Sequence, residues 1–141
     1  MIVMTEVAAG TPTFCPALRY RDAKAAIKQL TEAFGFRQTA LYESEDGTVL
    51  HAELCFGNGV VMLGTKGSGG PYEEALGDSG PIGVYTTVTD PDAHHRRAER
   101  AGAEIVLPLT DQDYGSREYT ARDLEGNLWT FGTYAPALPQ S

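Results

Sequence analysis

Glu118-Tyr119-Thr120-Ala121-Arg122-Asp123, followed by Glu125-Gly126 and an apolar strand to Gly132, closes the second half of the chain. His51-Ala52-Glu53-Leu54, followed by Gly57-Asn58-Gly59 and an apolar strand to Gly64, closes the first half in the same order. Upstream, Ala17-Leu18-Arg19-Tyr20-Arg21-Asp22 leads a helical stretch ending Ala33-Phe34-Gly35-Phe36. Its counterpart, Tyr85-Thr86-Thr87-Val88-Thr89-Asp90, leads one ending Ala101-Gly102-Ala103. Asp22 and Asp90 stand 68 positions apart, as do Gly64 and Gly132. A repeat of this length is a duplicated domain half rather than a solenoid unit, so two copies are expected to share one sheet system and one site.

Each module reads as strand, helix, strand, strand, strand, an α+β arrangement. In the first module (14–64) the strands are expected near 14–21, 38–44, 48–57 and 59–64. The helix is expected at 23–34, where Ala26, Ile27, Leu30 and Phe34 recur at helical spacing behind Asp22 as N-cap. Glu45-Asp46-Gly47 and Gly57-Asn58-Gly59 read as hairpin turns. The second module (82–134) repeats the order, with strands near 82–89, 104–109, 116–123 and 127–134 and a helix at 91–101. Pro91 and Gly102 are its start and stop signals. Residues 1–13 read as an N-terminal extension, 65–81 as a glycine-rich linker (a hinge, or a loop covering a site), and 135–141 as a tail.

With 141 residues, the chain matches one domain with a real core. Its 42% apolar and 21% charged residues are ordinary for a soluble protein. No apolar run is long enough to span a membrane, and the N-terminus lacks a basic leader, so a cytoplasmic protein without membrane partners is expected. Cys15 and Cys55 are too few for a disulfide framework and match no zinc spacing. The net charge of −8 argues against nucleic acid and is compatible with a cationic small molecule. Arg96, Arg97 and Arg100 read as a solvated helix face, and His94 and His95 as surface residues.

Leu18-Arg19-Tyr20-Arg21-Asp22 before the first helix, and Tyr114-Gly115-Ser116-Arg117-Glu118-Tyr119 … Arg122-Asp123-Leu124-Glu125-Gly126-Asn127-Leu128-Trp129 in the second module, carry a family resemblance. The chain resembles the vicinal oxygen chelate superfamily over about 14–134, nearest its glyoxalase/bleomycin-resistance branch; dioxygenase-like enzymes belong to the same superfamily. The resemblance implies two βαβββ modules in tandem, forming a curved mixed sheet whose concave face lines a cleft, and a homodimer. It also implies where enzymes of the superfamily hold a metal: seven residues before the first-strand Asp, and seven after the Asp of the Asp-x-x-Gly turn. Those positions are Cys15, Gly83 and Thr130, with Met62 as the module-one counterpart of Thr130. A divalent site needs three or four convergent N/O ligands, so no metal or other cofactor is expected.

Strand alternation sorts the remaining side chains into faces. Leu18, Tyr20, Ala52, Leu54, Phe56, Val84, Thr86 and Val88 read as packed against helices, and Trp129 and Phe131 as core. Cys15, Ala17, Arg19, His51, Glu53, Tyr85, Thr87, Glu118, Thr120, Leu128 and Thr130 are the expected ligand-binding set on the other face, with Cys55 and Arg122 beside them. Tyr72 and Tyr114 read as loop tyrosines, solvated or at the rim. His51 and Glu53 share a strand face, and two readings stay open. One is a general base, or a substitute metal site with Cys15 and carboxylates; the other is a mutual hydrogen bond, or one to Arg19 and Arg122.

The expected function is metal-free binding of a small organic molecule, cationic or aromatic, as in bleomycin resistance. The alternatives are an enzyme using His51 or Glu53 as base or a displaced metal, and a partner-binding protein with no small ligand.

Overall fold

The computed structural model describes residues 10–138. Most of the proposed extension (1–9) and the end of the tail (139–141) lie outside the described residues. Two four-stranded mixed sheets form, with the same strand order in each. In the first, β1 (Ala17–Tyr20) runs parallel to β4 (Gly59–Thr65), which pairs antiparallel with β3 (Val49–Phe56), and β3 with β2 (Arg37–Glu43). In the second, β5 (Gly83–Thr87) runs parallel to β8 (Leu128–Gly132), followed outward by β7 (Arg117–Arg122) and β6 (Glu104–Asp111). Helix α1 (Ala23–Glu32) and helix α3 (Pro91–Arg100) supply the crossovers. The βαβββ order inferred from the repeat is the order observed.

Both crossover helices start by the same device. Asp22 accepts the Ala25 amide at 3.0 Å and Asp90 accepts the Ala93 amide at 3.1 Å, so each satisfies one of the free donors of a first turn. Gly35 and Gly102, at φ +80° and +83°, then reverse the chain where a side chain would be strained. Asp92, in the first turn of α3, takes a bidentate pair from the Arg117 guanidinium at 2.8 and 3.1 Å. That fork joins α3 to β7 and holds the Asp92 carboxyl below its ordinary range. In the 44–48 hairpin, hydrogen bonds from the Ser44 hydroxyl and the Thr48 amide lower Asp46 to about 2.

The chain divides into two compact units: one takes in the chain up to Ile27 and Phe36–Gly77, the other Lys28–Gly35 and the chain from Asp78 onward. The second half of α1 therefore belongs with the second module. Arg97 donates from Nε to the Glu32 carbonyl at 3.0 Å and from Nη2 to the Thr31 carbonyl at 3.0 Å. It satisfies two of the terminal carbonyls that a helix leaves open, so it is a cap rather than part of a purely solvated face.

The core of the first unit contains Leu18, Tyr20, Ala52, Leu54, Val61 and Leu63. That of the second contains Leu30, Phe34, Tyr119, Ala121, Trp129 and Phe131, with α3 packed on β6, β7 and β8. His94 departs from the surface position expected of it. Its Nδ1 is 2.6 Å from the Tyr119 hydroxyl, its Nε2 is 2.8 Å from the Phe34 carbonyl, and its ring lies 4.0 Å from that of Phe131. Burial holds it below the ordinary imidazole range. The reason is helical spacing: Pro91, His94 and Ala98 form one stripe, and that stripe faces the sheet.

The segment read as a linker also holds structure. Pro71–Leu76 forms a short helix, α2. Glu73 reaches back to accept the Gly67 and Gly69 amides, the latter at 3.0 Å, which closes the glycine-rich turn on itself.

Candidate functional site

Alternation places the nominated side chains of β1, β3, β5, β7 and β8 on the sheet faces opposite the two cores. On β1, Ala17 is exposed and Arg19 half-buried, while Leu18 and Tyr20 turn inward. Cys15 lies before β1, half-buried and with a free thiol, as is Cys55 on β3. Met62 sits between Ala17 and Glu53 in the ladder.

In the first unit the structure brings His51 and Glu53 together, with Nε2 and Oε2 2.9 Å apart and both side chains 39% exposed. Arg19 does not join them. Its guanidinium crosses Gly64, where a Cβ would lie 2.5 Å from Nη1, and reaches the Tyr72 ring (5.9 Å) and Glu73 (3.9 Å) on α2. Arg19 Nε is buried there without a hydrogen-bond partner. Tyr72, which the sequence leaves as a loop residue, is thus half of a cation–π contact. A shallow depression of about 230 Å³ between Asp22, Lys24, Asp46 and Thr65 contains none of the nominated side chains.

In the second unit Tyr85 Oη donates to the Tyr134 carbonyl at 2.8 Å, and Thr87 Oγ1 donates to the same oxygen at 3.1 Å. Thr120 and Thr130, partners in the β7–β8 ladder, join hydroxyls at 2.7 Å. Glu118 accepts from the Tyr114 hydroxyl at 2.6 Å and from Ser116 Oγ at 2.7 Å. The first of these hydrogen bonds pushes the Tyr114 phenol up to about 12. Leu128 pairs with Gly83 and Arg122 and is partly exposed. Arg122 itself turns to Glu104, 3.3 Å away.

Two groups of side chains escaped the sequence reading. Tyr134 gathers Tyr85, Thr87 and Ser116, and period-two spacing from Thr130 through Gly132 was the signal for it. Asp123 is the other: buried, it accepts the Trp129 indole N–H at 3.0 Å, the Asn127 side-chain amide at 3.1 Å, and the Glu125 and Asn127 backbone amides. The Asp-x-x-Gly-Asn-x-Trp run is therefore a turn that satisfies the polar end of a core tryptophan.

The inherited metal positions carry a thiol, no side chain, a thioether and a hydroxyl, and the Thr130 hydroxyl is engaged with Thr120. This donor set does not fit the N/O site of the superfamily's enzymes. Among the described residues no group of three or more His, Cys, Asp and Glu side chains is placed to hold a metal ion, the combination of Cys15, His51 and carboxylates included. Among them, too, no helix is long and apolar enough to cross a membrane.

Comparison with known proteins agrees with this architecture. The crystal structure of TioX from Micromonospora sp. ML1 is similar at 38% identity and a TM-score of 0.72, covering 84% of this chain and 97% of that one. A lactoylglutathione lyase from Agrobacterium tumefaciens shares the fold alone, at 19% identity and a TM-score of 0.64, covering 86% of this chain and 93% of that one. An uncharacterised protein of Mycobacterium bovis (strain ATCC BAA-935 / AF2122/97) is 33% identical over 126 residues, covering 86% of this chain and 82% of that protein. Residues 14–131 match the model of the Glyoxalase/Bleomycin resistance protein/Dioxygenase superfamily, and the chain belongs to that superfamily.

Proposed function

We propose that this protein binds and sequesters a small organic ligand without a metal, in the manner of a bleomycin-resistance protein. The observation that carries the reading is the donor set at the superfamily's metal positions, Cys15, Gly83, Met62 and Thr130, which offers no imidazole, carboxylate or side-chain amide for the metal chemistry. The faces opposite the cores support it, because aromatic rings and a few fixed polar groups are what a ligand wall requires. Tyr85, Leu128, Thr130 and Glu118 supply this in the second unit, and Arg19, His51 and Glu53 in the first. The protein acts as a cytoplasmic homodimer in this reading, with no nucleic-acid or membrane partner. Elemental analysis of dialysed protein tests it: far less than one divalent ion per chain is expected. One tightly held ion per chain, lost on mutating the residues of these faces, would overturn it.

A second reading is carried by the His51–Glu53 contact, since a carboxylate that holds an imidazole is also how a general base is oriented. Turnover of an enolisable carbonyl compound that disappears in a folded His51→Ala variant would favour it over sequestration.

A further inference from the structure

Glu118 is half-buried on β7, and among the described residues its two carboxylate oxygens are held by neutral donors, the Tyr114 and Ser116 hydroxyls. Among the described residues no Lys, Arg or His forms an ion pair with it. Hydroxyl donors fix a carboxylate in place but leave its charge uncompensated, which is costly for a group partly out of water. Three phenol rings form a chain of contacts that begins at this charge, with the Tyr114 hydroxyl bonded to it. Tyr114 and Tyr134 lie edge to face with centroids 6.0 Å apart, and Tyr85 and Tyr134 are 6.4 Å apart. The three residues are between 37% and 60% exposed, although Tyr85 and Tyr134 are tied into the backbone network.

Gly132 completes the arrangement. A Cβ at that position would lie 2.8 Å from Tyr85 Oη and 3.0 Å from Glu118 Oε2. A phenol oxygen and a carboxylate oxygen therefore converge over a residue that has no side chain. Aromatic faces carry negative potential and prefer cations whose charge is spread over methyl groups. A quaternary ammonium donates no hydrogen bond, so it can pair with Glu118 while both oxygens keep their hydroxyl donors.

We propose that Tyr85, Tyr114 and Tyr134 around Glu118 form a receptor for an alkylammonium group, so that the protein's ligand carries a methylated cationic amine. This rests on the ligand-binding reading and names the chemical class that the second unit selects. The ammonium would sit against the exposed phenol faces with Glu118 as counter-ion, and no bond is made or broken.

The test titrates the full chain with choline and with its uncharged isostere 3,3-dimethylbutan-1-ol, reading the ring resonances of the tyrosines by NMR. Choline is expected to shift Tyr85, Tyr114 and Tyr134 saturably, and the isostere to bind about tenfold or more weakly. Glu118→Gln should weaken choline by about tenfold and leave the isostere unchanged. If that variant does not fold, Tyr114→Ala on its exposed loop takes its place, with a several-fold loss of choline expected. No saturable choline shift in the unmodified chain, equal binding of the isostere, or full choline affinity in the variant overturns the proposal. An organic adduct carried by protein isolated from cells, with choline failing to bind, overturns this receptor and leaves the ligand-binding reading standing.

Discussion

Replacing Asp123 by Asn tests why the Asp-x-x-Gly-Asn-x-Trp turn is built as it is. The two side chains have nearly the same shape, but Asn turns one acceptor oxygen into a donor. If the NH2 takes the place of Oδ2 it faces the Trp129 indole N–H and the Asn127 side-chain amide. If it takes the place of Oδ1 it faces the backbone amides of Glu125 and Asn127. Asn127 cannot relieve the first conflict by flipping, because its Oδ1 already accepts the Ile82 amide at 3.0 Å. Either way two donors lose their acceptor, at roughly 1–3 kcal/mol each, so a loss of about 2–6 kcal/mol is expected. The chain has one Trp, so urea unfolding followed by its fluorescence reports this site directly. A cycle with Trp129→Phe, all four proteins followed by circular dichroism because the Phe variants carry no Trp, should show coupling of about 1–2 kcal/mol, since the Phe variant removes one of the stranded donors. An Asp123→Asn variant within about 0.5 kcal/mol of the parent, or a cycle without coupling, would show that the Asp123 acceptors do not hold this turn.

Gly64→Ala places a Cβ 2.5 Å from Arg19 Nη1 and 2.8 Å from the Leu50 carbonyl; the flexible guanidinium can yield but the backbone cannot. A loss of about 1–3 kcal/mol in urea unfolding, with release of Arg19 from Tyr72 seen as changed Tyr72 ring shifts, is expected. His94 is held neutral by burial, its folded pKa lying below the ordinary imidazole value of the unfolded chain. Its contribution is therefore complete above pH ~6.5 and is lost as the pH falls through that value toward the depressed folded pKa. Melting temperatures of the parent minus those of His94→Gln should shrink over that interval, and a difference that grows on acidification would contradict the assignment. Arg97→Ala uncovers the Thr31 and Glu32 carbonyls and should cost about 0.5–1.5 kcal/mol, with faster amide exchange confined to the end of α1. Glu73→Ala opens the turn at Gly67 and Gly69 and removes the carboxylate beside Arg19, so limited proteolysis should cut faster within 65–77 than in the parent.

The alternation of Leu18 and Tyr20 with Ala17 and Arg19, and the Asp22 cap, were legible because they depend on neighbours in sequence. The same local logic separates Thr130 from Trp129 and Phe131. What escaped depends on contacts across the chain. His94 looks polar in isolation, and only the stripe it shares with Pro91 and Ala98 turns it inward. The helix at Pro71–Leu76 was signalled by Pro71 and by Glu73-Glu74 in its first turn, but the surrounding glycines outweighed that signal. Asp123 and Trp129 meet only because the turn folds back, which spacing alone does not reveal. Arg19 looked like a partner for His51 and Glu53; the gap over Gly64 leads it to Tyr72 instead.

Native mass spectrometry of the full chain, isolated from cells without added metal and desalted under mild conditions, distinguishes metal-free ligand binding from a metal site in one spectrum. A noncovalent organic adduct on the protein, without a divalent metal and undiminished after chelator treatment, is the predicted spectrum. A spectrum showing one divalent ion per chain, removed by the chelator, and no organic adduct would contradict metal-free ligand binding.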